Sequence, residues 1–416
     1  MHQSYYTIFF FFAIIVLAVD LYAYYGLKKV FAKSYANHKK FLSYFYWSIP
    51  VAIFIWLFVL LQNKDTANPK TSLIYFHYFS GTFLLIYIPK LVFIFFNFTD
   101  DLFHAIKRLL FPTRKKATTL KGITRKQFLT QIGIIAAGLP FASLIYGIGW
   151  GRYNFIVRKT VLHFPNLPKD FNGFRIVQFS DFHLGSFDNK TDKIEEVVSL
   201  INKQNPDIVV FTGDLVNNVA DETTSFISVL SKIKSKYGKF SILGNHDYGE
   251  YIKWKSPFQK KKNLQKLIAI EQNLGFTVLL NSHSTIQIGE SRIELIGVEN
   301  WGLPPFPQYG NLTKAIEKID TSAFKILLTH DPTHWEAEVL PETNIDLTLS
   351  GHTHGAQFGI EIPGWRWSPV NMRYKEWGGV YKNGMQVINV STGVGFIGFP
   401  GRVGMPPEIN RITLTI

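Results

Sequence analysis

Five short stretches of this chain carry side chains able to hold and use a metal ion. They are Asp181-x-His183, Gly213-Asp214, Gly244-Asn245-His246-Asp247, His330, and Gly351-His352-x-His354. Setting His246 and Asp247 aside, they supply two carboxylates, one amide oxygen and four imidazoles. A mixed, sulfur-free set of that kind suits borderline divalent ions such as Mn²⁺, Fe²⁺ or Zn²⁺ better than an all-oxygen Ca²⁺ or Mg²⁺ cage. Asp181 and His183 are two residues apart, so on extended backbone they project to the same side and can chelate one ion. His352 and His354 share that spacing and can straddle two neighbouring ions. Asp214 offers a carboxylate able to bridge, and Asn245 and His330 add one ligand each. Any one of these stretches alone also reads as a polar turn or a structural histidine.

The elements that must position these residues are strands. Strands are predicted at 174–180, 207–212, 240–243, 325–329, 346–350 and 385–390, and the five chemical stretches follow the first five of these. Helical spacing covers 190–202, 224–235, 264–274 and 313–319, and strand pairing is expected at 277–280 with 285–288, next to 292–298. Alternation first and a run of strands later suggests two sheets with helices outside. Ligands gathered at the carboxyl edge of a sheet are the usual arrangement in open α/β folds, and glycines beside them let the chain turn sharply.

Together these motifs resemble the calcineurin-like metallophosphoesterase superfamily, over roughly residues 172–410. The tail from Val390-Ser391-Thr392-Gly393-Val394-Gly395 to Pro407-Glu408-Ile409 is similar to its membrane-associated bacterial branch, typified by YkuE and YaeI. The resemblance implies a four-layer αββα sandwich and two divalent ions (Mn, Fe or Zn). One ion would be held by Asp181, His183, Asp214 and His354, the other by Asp214, Asn245, His330 and His352. Two ions so placed would activate a water and clamp the phosphoryl oxygens of an in-line displacement. His246, off the metals, would stabilise developing charge or protonate the leaving oxygen. Asp247 would hold the His246 tautomer and ring orientation. Substrate is the least determined part. The segment 359–379 holds Trp365, Trp367, Tyr374 and Trp377, followed by Phe396, Phe399 and Arg402. These aromatics either rest at a lipid interface and grip a substrate group or cover the sheet edge, and Arg402 is a candidate phosphate contact.

At 416 residues the chain is long for one core, and its composition divides near residue 150. Residues 1–150 hold 16 of the 44 Lys+Arg and 4 of the 30 Asp+Glu, a formal charge of +12, which leaves +2 for the rest. The chemical half therefore lacks the basic footprint of a protein that binds long nucleic acid. There is no cysteine, which excludes disulfides, thiolate ligands and a Cys nucleophile. Apolar runs at about 7–25, 41–61, 73–98 and 128–150 are each long enough to span about 30 Å of hydrocarbon. The predicted domains are a helical transmembrane module at 1–151 and a phosphoesterase domain at 152–416. In architecture alone, the first half also resembles a vertebrate transmembrane phosphoesterase.

Charge in the loops sets the expected orientation. Lys28, Lys29, Lys33, Lys39 and Lys40 lie between the first two spans, and Lys107, Arg108, Arg114, Lys115, Lys116, Lys121, Arg125 and Lys126 between the last two, against Asp100 and Asp101. The middle loop has only Lys64, Asp65 and Lys70. The positive-inside rule places the first and third loops in the cytoplasm and the domain outside a bacterial inner membrane. Arg125-Lys126 before the fourth span resembles a twin-arginine signal but lacks its second Arg, so it reads as flanking charge. Asp20 reads as an interfacial or helix-paired carboxylate within an apolar run. The leading expectation is thus a membrane-anchored phosphoesterase acting on a phosphorylated small-molecule or lipid substrate. A nuclease or cyclic-nucleotide phosphodiesterase on the same fold is the alternative enzyme, and a non-catalytic membrane scaffold is the alternative of another class.

Overall fold

A computed structural model describes residues 2–30, 32–63, 69–110 and 125–416, and the chain divides into two compact units. The first contains helices α1 (His2–Val30) and α2 (Ala32–Asn63) and most of α3 (Pro69–Leu110) and α4 (Arg125–Gly149). Four stretches among the described residues are long and apolar enough to cross a membrane: Phe9–Lys28, His38–Asn63, Thr71–Leu110 and Phe128–Tyr153. At 1.5 Å per residue α3 runs about 60 Å, roughly twice the hydrocarbon thickness. Of the orientation charges, Lys64, Asp65, Arg114, Lys115, Lys116 and Lys121 lie outside the described residues, as does Thr124 at the start of the twin-arginine-like stretch.

Asp20 is fully buried and paired with other helices. Its carboxylate lies 2.5 Å from Lys90 Nζ and accepts the hydroxyl of Tyr87 at 2.8 Å and of Tyr46 at 3.3 Å. A carboxylate in an apolar run is tolerated when it is paired in this way, and the same contact accounts for Lys90 in the third span.

The second unit holds fourteen strands: β1 (Ile156–His163), β2 (Arg175–Phe179), β3 (Ile208–Phe211), β4 (Gly238–Ser241), β5 (Phe276–Val278), β6 (Ser282–Ile288), β7 (Ser291–Gly297), β8 (Phe324–Leu328), β9 (Leu347–Ser350), β10 (Ile360–Ile362), β11 (Trp365–Trp367), β12 (Gly379–Asn383), β13 (Gln386–Val390) and β14 (Glu408–Thr415). They form two six-stranded sheets, β1-β14-β2-β3-β4-β5 and β12-β13-β9-β8-β7-β6, and a hairpin β10-β11. Three buried clusters define four layers. Ile176, Ile208 and Val210 from the first sheet meet Leu295, Ile326 and Leu349 from the second. The outer face of the first sheet (Val177, Val209, Phe211) packs on Ile194, Val197 and Ile201 of α5 (Thr191–Asn202). The outer face of the second (Ile296, Leu327, Ile388) is covered by Leu312, Trp335 and Val339. The strands at the centre are buried on both faces, which is why they read as continuous apolar runs. The expected αββα sandwich is the fold.

Local structure departs from expectation at several elements, among them β1 and β10 to β12, which the sequence pattern did not mark. The helices predicted at 224–235 and 313–319 are single turns, Ile227–Leu230 and Leu312–Ala315. The helix predicted at 264–274 begins at Pro257, after Ser256 accepts the Gln259 N–H as its cap. The segments 277–280 and 285–288 do not pair. β5 runs parallel to β4 and β6 antiparallel to β7, so the chain crosses between sheets at residues 279–281. β14, unread as a strand, sits inside the first sheet, parallel to β1 and antiparallel to β2.

Candidate metal centre

β2, β3 and β4 run parallel, as do β7, β8 and β9, and the chemical residues follow the carboxyl ends of β2, β3, β4, β8 and β9. Two groups result, in each of which the ligand atoms lie within 4.8 Å of one another: Asp181, His183 and His354, and Asp214, His330 and His352. Asp214 also reaches the first group, its Oδ2 lying 3.6 Å from His183 Nε2 and 3.2 Å from His330 Nε2. His352 and His354 are divided between the groups.

The backbone reason offered for these pairings does not hold. Asp181, His183, Asp214, His352 and His354 all have positive φ, between 49° and 73°. Asp181 and His183 therefore converge through left-handed turns rather than by alternation along a strand. Each such residue costs about 1–3 kcal/mol, sustained by the packing around it. Neighbouring glycines leave no room for a side chain: a Cβ at Gly244 would collide with Asp214 and His330, and one at Gly351 with Ser180 and Asp181.

The donor set fits divalent cations. His183 Nε2 faces His354 Nε2 at 3.0 Å, and His352 Nδ1 faces His330 Nε2 at 3.3 Å, as ligands around a shared cation do. Asn245 is buried with its Nδ2 donating to Tyr251 Oη at 2.7 Å, and its Oδ1 has no hydrogen-bond partner. Burial holds the His183 and His354 imidazoles well below the usual range and lowers His352 to about 4, leaving neutral rings with lone pairs to offer. His330 goes the other way. Burial opposes its charge, but the Asp214 carboxylate, joined by Asp181 and the Thr212 carbonyl, outweighs burial and raises it to about 10. Burial likewise opposes ionisation of Asp214, yet His330 and His246 beside it keep it well below the ordinary carboxylate value. Burial pushes Asp181 up to about 6.

Residues 5–152 match the transmembrane domain of calcineurin-like phosphoesterases, and residues 174–356 the calcineurin-like phosphoesterase domain itself. The metallophosphoesterase YkuE of Bacillus subtilis is 32% identical over 310 residues, 71% of this chain and 99% of that protein. This chain belongs to the calcineurin-like metallophosphoesterase family. A metallophosphoesterase of Campylobacter jejuni is 28% identical over 98% of this chain and 99% of its own length. The "transmembrane protein with metallophosphoesterase domain" of Danio rerio is 27% identical over 78% and 70%, a likeness of sequence and not of architecture alone. Membership makes the chain a membrane protein with a metal-dependent phosphoester hydrolase domain.

Within this metallophosphoesterase, His246 belongs to neither metal group. Its ring stands edge-on to His183, with centroids 4.9 Å apart, and its Nδ1 lies 2.8 Å from the carbonyl oxygen of Asn217. The expected link to Asp247 is absent. Asp247 turns the other way, accepting backbone N–H groups from Asp214 and Leu215 at 2.8 Å, Gly244 at 2.9 Å and Val216 at 3.3 Å. It ties the Asp214 loop to the Gly244 loop, and burial together with Asp214 pushes it up to about 7. The carbonyl that orients His246 is set instead by Glu222, a buried carboxylate accepting from the N–H groups of Gly185, Asn217, Asn218 and Val219.

Arg402, the candidate phosphate contact, is turned inward beside His354. It is 1% exposed, and its guanidinium donates to the carbonyls of Thr392 at 2.8 Å and of Gly395 at 2.6 and 2.8 Å. It therefore fixes the loop behind His354. The aromatic segment divides as well: Tyr374 and Trp377 are buried with Met405, Phe396 and Phe399 are buried, and Trp365 and Trp367 are exposed. Two residues near the site, Asp331 and Phe306, were not singled out by sequence, and Tyr374 was named only among the aromatics. Tyr374 Oη lies 2.9 Å from His352 Nε2, Asp331 Oδ2 lies 3.4 Å from the same nitrogen, and Phe306 meets the His352 ring edge-on. Asp331 carried a signal, since it follows His330 directly.

Proposed function

We propose that this chain is a membrane-anchored phosphoesterase that hydrolyses a phosphodiester, pyrophosphate or phosphomonoester, on a small or lipid-linked substrate outside the cytoplasm of a bacterial cell. The observation that carries this reading is the pair of Asp/His groups joined through Asp214, with His246 beside them and outside both. Asp181, His183, Asp214 and His354 would hold one divalent ion, and Asp214, Asn245, His330 and His352 the other, with Mn²⁺, Fe²⁺ or Zn²⁺ suited to the donors. Two such ions, when bound, supply Lewis-acid activation of water and of the phosphoryl oxygens. His246 serves the leaving oxygen: with Nδ1–H donated to Asn217, Nε2 is the nitrogen left to exchange a proton. Asp247 and Glu222 keep the loops bearing Asp214 and His246 in register. The extracytoplasmic placement is supported by the basic first and third loops.

The test is a substrate panel on the purified full chain with Mn²⁺ added, comprising bis-p-nitrophenyl phosphate, p-nitrophenyl phosphate, and lipid phosphates in mixed micelles. Hydrolysis of at least one substrate, abolished by chelation and restored by metal, is expected. Metal bound without hydrolysis of any of them would leave the scaffold reading standing instead.

Metal binding should also depend on pH with a definite sign. His330 holds its proton up to about pH 10 without a cation, and a ligand nitrogen must give that proton up. Mn²⁺ binding at pH 8 is therefore expected to release about one proton, and affinity to fall as pH drops. Titration calorimetry in buffers of differing ionisation enthalpy reads this directly. Zero release at pH 8 would remove His330 from the ligand set.

A further inference from the structure

The hairpin β10-β11 presents an unpartnered apolar face. Its register pairs Ile360 with Trp367, Glu361 with Arg366, and Ile362 with Trp365, around Pro363 and Gly364, whose φ is +81°. Successive side chains on a strand alternate between faces, so Ile360, Ile362, Trp365 and Trp367 share one side and Glu361 and Arg366 the other. The polar side is bound to the body of the domain. Glu361 takes a two-pronged contact from Arg158 at 2.7 and 2.8 Å, and Arg158 and Arg366 both approach the buried Glu408. The apolar side stands about half exposed: Ile360 is 49% exposed, Ile362 54%, Trp365 51% and Trp367 41%. Four bulky apolar side chains held outward by a charged underside are costly in water.

Two further observations point to what covers them. Arg158, which anchors the hairpin, is nine residues beyond Gly149, the last residue of α4. Nine residues reach at most about 30 Å, so the hairpin base is kept within that distance of the end of a membrane span. Glu408, the other anchor, opens β14, where Asn410 pairs with Gln178 at the carboxyl end of β2. The apolar face thus belongs to the same edge of the sandwich as Asp181 and His183. Ser368, just after the hairpin, donates to the carbonyl of Gly355 at 2.7 Å, next to His354.

We infer that the Ile360, Ile362, Trp365 and Trp367 face of the β10-β11 hairpin inserts into the interfacial layer of the lipid bilayer that holds the chain, and so keeps the metal-ligand edge at the membrane surface. Tryptophan at that depth places its ring at headgroup level, and isoleucine reaches the acyl boundary. The consequence for substrate, a phosphate presented at the headgroup plane, rests on the phosphoesterase reading; the insertion does not.

The chain contains no cysteine, so Ile362→Cys gives a single labelling site. Met385→Cys, 62% exposed at the opposite end of its sheet, serves as the control. Each labelled full chain, carrying an NBD fluorophore, is reconstituted into phosphatidylethanolamine/phosphatidylglycerol vesicles with or without lipids bearing a nitroxide near the headgroup. At position 362, blue-shifted emission and several-fold stronger quenching by nitroxide lipid than at 385 are expected, with protection from aqueous iodide. Equal quenching at both sites, with iodide reaching both, would overturn the insertion. So would protection from iodide without lipid quenching, which would assign the face to a second copy or another protein.

Discussion

Replacing Asp214 with Asn is expected to reduce turnover by about 10³-fold or more and to empty at least one metal position. Its Oδ2 lies between His330 and His183, at 3.2 and 3.6 Å, and no other carboxylate among the described residues spans the two groups. A neutral amide there would remove the negative charge that Asp214 would offer to both cations, and electrostatic stabilisation of that kind is worth several kcal/mol, each 1.36 kcal/mol being tenfold in rate. Oδ1 also accepts the backbone N–H of His246 at 2.8 Å, so the substitution disturbs the placement of that residue too. Metal content by elemental mass spectrometry and kcat with Mn²⁺ would be measured together. Two equivalents of metal with turnover within a few-fold of wild type would show that Asp214 does not bridge.

His246→Ala is expected to behave differently, losing about 10²- to 10⁴-fold in kcat while retaining its metals and thermal stability. The ring lies outside both ligand groups and is only partly buried, so its removal takes away a proton carrier without opening a cation site. Asp247→Ala provides the contrast. It strips an acceptor from four backbone N–H groups in the Asp214 and Gly244 loops, and each buried donor left unpaired costs about 1–3 kcal/mol. That variant should lose thermal stability and metal affinity first, and activity as a result. A His246→Ala protein with the low metal content and low melting temperature expected of Asp247→Ala would falsify the assignment of His246 to proton transfer.

The ligand types, their order along the chain and their recurrence after strands were legible in the sequence, because strand–turn punctuation and ligand chemistry are local properties. The four apolar spans and the near-neutral second half were legible for the same reason. Adjacency misled where a role depends on direction. Asn245, His246 and Asp247 are consecutive, yet Asn245 bonds Tyr251 and leaves its Oδ1 unpaired, His246 bonds the Asn217 carbonyl, and Asp247 is buried under the turn where four N–H groups converge. Arg402 has the charge to hold a phosphate, but its donors are taken by the carbonyls of Thr392 and Gly395. The hairpin tryptophans and the buried Tyr374 and Trp377 lie within thirteen residues of one another and are alike in composition. Only the register of β10 against β11 separates an outward apolar face from a core.

By itself the sequence determined what chemistry the chain can do and that it does so attached to a membrane, since residue type, spacing and hydropathy are written along the chain. Tertiary structure decided which atoms meet. Left-handed turns at Asp181, His183, Asp214, His352 and His354 aim the ligands, and such turns persist only where packing from distant segments outweighs their strain. Hydrogen bonds that link residues some thirty positions apart then give His246 and Asp247 their different surroundings.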